Sequence, residues 1–121
     1  MIPGHYDIPI KQGDDWEMNI YVEEDDGSPR NLTGYVAYMH IRARLEGGIE
    51  KELSTSSGIT ITGASGLVTI KMAYSETVLL TFRRGMYDLH LHKSGSPDVH
   101  ACILEGDVVM SPLVTRGVTW P

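Results

Sequence analysis

The run Met86-Tyr87-Asp88-Leu89-His90-Leu91-His92-Lys93 sets Asp88, His90 and His92 at every second position. In an extended chain, residues two apart lie on one side, and imidazole with carboxylate is a zinc-ligand chemistry. A metal also needs a third or fourth ligand and outer partners to orient the first set. His40 and His100 can supply these only if their strands neighbour this one. The same alternation serves a sheet with one wet face, sending Tyr87, Leu89 and Leu91 to the core. The solvated face is the reading adopted. No metal and no cofactor are expected, and Asp88, His90 and His92 stand as the candidates for a metal.

Other chemistry is sparse. The one cysteine, Cys102, rules out an intramolecular disulfide, and inside Val-His-Ala-Cys-Ile-Leu-Glu-Gly it reads as a small buried apolar residue. This fits a chain made in a reducing cytoplasm. The acidic run Glu23-Glu24-Asp25-Asp26-Gly27 lacks the ligand spacing of a calcium loop and reads as a solvated hairpin turn. No serine-nucleophile elbow, zinc-protease helix or phosphate-cradling glycine loop is present. The expectation is a protein that binds or builds, not an enzyme.

The elements that must position these residues have a period of two. Ile8 and Ile10 alternate. Trp16, Met18, Ile20 and Val22 form one side of a second run. Tyr35, Ala37, Met39 and Ile41 oppose Val36, Tyr38, His40, Arg42 and Arg44 in a third. Gly-Ile-Thr-Ile-Thr-Gly and Leu-Val-Thr-Ile-Lys-Met read as a hairpin across Ala64-Ser65-Gly66. Residues 86–93, 99–106 and 107–112 supply three more strands, for about eight in all. Helix is confined to Tyr74–Phe82, with Ser75 as its expected cap, bridging two sheets. Tyr87, entering a late strand after that crossover, fits a tyrosine corner, with its hydroxyl bonded back to the crossover backbone. The expected fold is an all-β, immunoglobulin-like sandwich over residues 1–121, with an N-terminal arm 1–12 and a C-terminal tail 113–121.

Composition narrows the partners. The net charge of −6, with its ten Lys and Arg scattered, argues against a nucleic-acid stripe. No run approaches the ~18 apolar residues of a membrane helix, and the first residues are not a signal peptide. Neither nucleic acid nor membrane is an expected partner.

In order along the chain stand Gln12-Gly13-Asp14-Asp15-Trp16, Asn31-Leu32-Thr33-Gly34, the glycine-turn hairpin, Tyr87-Asp88-Leu89, Leu104-Glu105-Gly106 and Val114-Thr115-Arg116. This order resembles small structural proteins of tailed bacteriophages and prophages. It is also similar to the immunoglobulin-like N-terminal domain of phage baseplate upper proteins. The resemblance implies a virion component of the tail, baseplate or fibre-attachment region, made in the bacterial host cytoplasm. It would act as an adaptor, docking on other virion proteins and on copies of itself in a symmetric assembly. Ile8 and Ile10 of the arm, Asp25 and Asp26 of the acidic loop, and Val118 and Trp120 of the tail are the expected contacts. Extended arms suit β-augmentation, and an exposed Trp suits an anchor. The rivals are a head decoration or neck protein, a carbohydrate- or receptor-binding module, and a metal-dependent enzyme.

Overall fold

A computed structural model of the chain describes residues 3–121. Residues 1 and 2 of the expected arm lie outside the described residues. The strands are β1 (Gly4–His5), β2 (Ile8–Lys11), β3 (Trp16–Tyr21), β4 (Val36–Arg42), β5 (Ile49–Ser54), β6 (Ile59–Thr62), β7 (Leu67–Met72), β8 (Arg84–Lys93) and β9 (Val99–Ser111). One sheet runs β1-β9-β8-β4-β5, with β2 also on β9; the other runs β3-β7-β6. All pairs are antiparallel except those of β1 and β2 with β9. This is the immunoglobulin-like arrangement, with a parallel first strand closing the larger sheet.

The expected alternation survives in burial. Ala37, Met39 and Ile41 of β4, Leu89 and Leu91 of β8, and Val68, Ile70 and Met72 of β7 meet in one core between the sheets. Two aligned sheets with apolar inner faces make such a core, and it contributes most of the stabilisation. The β6–β7 hairpin turns through a short 3-10 segment, Gly63–Ser65, and Gly66 at φ +65°. A side chain at Gly66 would strike the Val22 and Arg30 carbonyls, so glycine is required there by both space and dihedral.

Three expectations change. Residues 99–111 form one strand, β9, not two. Gly106 interrupts nothing; it lets another backbone come close, as shown below. β5 was not expected, because only Leu53 of its residues is buried and its edge is charged.

The third change concerns the helix. α1 is one turn, Tyr74–Thr77, and links β7 in one sheet to β8 in the other. Its cap position is Ala73, not Ser75. Alanine has no capping oxygen, so the carboxylate of Glu76 accepts the Ala73 N–H at 2.7 Å. Asp15, distant in sequence, accepts the Tyr74 N–H at 2.8 Å. These acidic groups fill the role a serine hydroxyl would otherwise have at a helix start.

The segment Gln12-Gly13-Asp14-Asp15 thereby acts as a clasp on α1. Thr77, fully buried, donates its hydroxyl to the Asp14 carbonyl at 2.8 Å and accepts the Gly13 N–H at 3.0 Å. The Gln12 amide donates to the Val78 carbonyl at 2.8 Å and accepts the Leu113 N–H at 2.9 Å. One polar segment thus holds the crossover and the start of the tail together, and every buried polar atom in it has a partner.

Candidate functional site

The chemistry-bearing side chains gather on the outer face of the larger sheet. β8 lies between β4 and β9, so each of its outward residues has a neighbour on both sides. Asp88 faces His40 and Glu105; His90 faces Tyr38 and Cys102; His92 faces Val36 and His100. Three close contacts order this face. The His90 imidazole sits 3.2 Å from the Asp88 carboxylate. The His92 and His100 rings stack with centroids 4.2 Å apart and planes 13° from parallel. His40 pairs with Glu52 of β5 at 3.6 Å.

Asp88, His90 and His92 therefore do not act as one set. Asp88 and His90 lie with Cys102 in one group, and His92 lies with Asp98 and His100 in another. The sequence pattern identified the face, but the grouping is set by cross-strand register, which alternation does not encode. Cys102 is half-buried, and burial pushes its thiol up, with Asp88 and Glu105 adding to the effect. The thiol is thus held in its protonated form at neutral pH.

At the far end of the face, His5, His40, Arg42, Met86, Asp88 and Asp107 line an open groove. Arg84 and Asp107 pair across β8 and β9 at 2.7 Å. Asp7 accepts the Asp107 N–H at 2.9 Å, and this bond, with the nearby His5, holds its carboxyl below the usual carboxylate range.

Tyr87 is buried and donates its hydroxyl to the Tyr6 carbonyl at 2.6 Å. The expected bond to the crossover backbone is replaced by this one, because Tyr87 pairs with Gly106 and the β1–β2 link lies just beyond it. A side chain at Gly106 would strike the Tyr6 backbone. Burial pushes the Tyr87 phenol strongly upward, so it remains a donor.

The expected docking residues divide. Ile8 and Ile10 are a correction: at 1% and 3% exposure they are core residues of this chain. β2 adds to the chain's own β9 in parallel, Ile8 opposite Val108 and Ile10 opposite Met110, so no free arm presents them. Pro9 is tolerated between them because β2 is an edge strand. Asp25 and Asp26 are exposed. Asp26 is engaged locally, accepting the Ser28 N–H and hydroxyl at 2.9 and 2.6 Å, which lowers its carboxyl. Pro112 and Leu113 pack back on the sandwich, while 114–121 are exposed, with Trp120 at 74%.

A family model, the LtfC-like beta-sandwich domain, matches residues 3–111. The chain belongs to the LtfC-like family. The matched span ends at the last residue of β9, so in this LtfC-like protein the exposed tail lies beyond the family domain. No curated protein matches the chain in sequence. Among solved structures, the fold is similar to the "N-terminal domain of phage TP901-1 ORF48" at TM-score 0.57 and 14% identity, covering 90% of this chain and 89% of that one. At that identity the likeness establishes a shared fold. The LtfC-like domain and that phage domain are sandwiches of matching extent.

Proposed function

We propose that this LtfC-like protein is a structural component of a tailed-phage virion, acting as an adaptor in the tail, baseplate or fibre-attachment region. The observation that carries this is the fold likeness to a phage protein's N-terminal domain over nearly the whole length of both chains. The distribution of polar groups is in keeping with docking. Among the described residues the buried polar side chains of Thr77 and Tyr87 both serve the fold, Thr77 in the clasp on α1 and Tyr87 in its bond to the Tyr6 carbonyl. The groups with displaced pKa values, such as Asp7, Asp26 and Glu76, are tied into structural hydrogen bonds.

The tail is the proposed contact. Val118 and Trp120 are large apolar side chains exposed on an extended segment past β9. A Trp on such a segment favours burial in a partner, where it acts as an anchor. The acidic loop with Asp25 offers a charged rim. The partners are other virion proteins and copies of this chain.

Cryo-electron microscopy of the phage that encodes the chain tests the reading. The expected result is a symmetric ring of sandwiches with residues 114–121 ordered against a neighbour. Absence of the chain from purified particles would overturn it. Placement in the head or neck would replace the tail assignment.

A further inference from the structure

We propose that the outer face of the β8–β9 hairpin binds a zinc-class divalent ion through His92, His100 and Asp98. His92 and His100 are directly opposed across the hairpin with ring centroids 4.2 Å apart; the rings stack, and each must turn out of the stack to aim its in-plane nitrogen at a shared ion. Asp98 stands just before β9, and one ligand atom from each of the three lies within 4.8 Å of the others. Zinc bonds of about 2.0–2.1 Å in tetrahedral geometry set ligand atoms roughly 3.3 Å apart. Closing that difference needs only side-chain rotation, since Asp98 and His100 are exposed and His92 is half-buried.

The carboxylate is already oriented. One Asp98 oxygen accepts the Gly95 N–H at 2.7 Å, which leaves the other for an ion. A backbone donor of this kind is the outer partner that fixes a metal-binding carboxylate. Two imidazoles and one carboxylate suit zinc, nickel or copper; calcium and magnesium prefer oxygen sets. Three protein ligands leave a fourth position for water or for a group from another chain.

The neighbouring group, Asp88, His90 and Cys102, is the weaker competitor. Asp88 and His90 already pair with each other at 3.2 Å. The half-buried Cys102 thiol already donates to the Leu104 carbonyl at 3.6 Å. Occupation of the first group therefore does not require the second.

The test is calorimetric titration of zinc ion into the full, tag-free chain after chelator treatment. One saturable site per chain is expected. His92→Ala and His100→Ala each weaken it by more than about tenfold, the loss typical even of outer partners. His90→Ala and Cys102→Ser leave it unchanged. A zinc-dependent rise in melting temperature accompanies binding in the parent chain and vanishes in His92→Ala. Circular dichroism of each variant separates a lost ligand from a lost fold. Absence of saturable binding to the folded parent chain overturns the proposal. So does binding that survives both His92→Ala and His100→Ala, or that depends on Cys102 instead.

Discussion

The Tyr87 hydroxyl donates to the Tyr6 carbonyl at 2.6 Å, reaching across Gly106 to tie the first strands to the middle of the larger sheet. Removing the hydroxyl leaves that carbonyl without its donor and keeps the ring in place. Tyr87→Phe is expected to destabilise the fold by about 1–2 kcal/mol, since an unsatisfied buried acceptor costs more than an average hydrogen bond contributes. Urea unfolding of the two proteins measures this. An unchanged midpoint would mean that water replaces the phenol.

Ile8 belongs to the core, not to an arm. Ile8→Ala should cost about 2–5 kcal/mol, the range for a large-to-small change at a buried site. The same change on a free arm would alter stability by less than about 0.5 kcal/mol. Thermal or denaturant unfolding of the isolated chain distinguishes the two.

Glu76 carries a pH dependence of known sign. The Lys51 ammonium at 2.7 Å, and then the Ala73 N–H, hold its carboxyl below the usual value. A carboxyl depressed in the folded state stabilises fully above its unfolded value, about 4.3 for Glu, and loses that contribution as pH falls through the folded value. Glu76→Gln should therefore lower the melting temperature at neutral pH, and the gap to the parent chain should close under acid. Because the pair is partly exposed, the gap should be small. A gap that persists unchanged at low pH would assign the effect to the cap geometry alone.

Trp120 separates stability from docking. At 74% exposure it contributes little to the isolated fold, so Trp120→Ala should shift unfolding by less than about 0.5 kcal/mol. The same variant should reduce the copies found in purified phage particles by quantitative mass spectrometry. Full incorporation would remove the tail from the proposed interface.

Much of the architecture was legible because burial and alternation have the same period. Ala37, Met39, Ile41, Leu89 and Leu91 each face the core as their spacing requires. What alternation leaves out is which chain a strand pairs with. Ile8 and Ile10 carry the pattern of a buried strand whether the sheet is their own or a neighbour's. Glycine misled in β9, since a residue that permits close approach reads the same as one that ends a strand. Ser75 is not the cap because the helix begins at Tyr74, before it, where Asp15 and Glu76 accept the first N–H groups. The histidine face was legible; the pairing of His92 with His100 and of His90 with Cys102 depends on register and on a bulge between Leu89 and His90. The clasp built on Gln12 and Asp15 was visible only as a polar cluster, because its partners are some sixty to a hundred residues away.

The parallel pairing of β2 with β9 fixes an order of events during synthesis. Ile8 must wait for Val108, and Ile10 for Met110. During synthesis the apolar strand β2 has no place to go until β9 has emerged. Contacts so distant in sequence form slowly, and an unpaired apolar strand is open to wrong partners in the meantime. The fold therefore cannot assemble from its beginning. It is completed only when β9 comes back to meet β2.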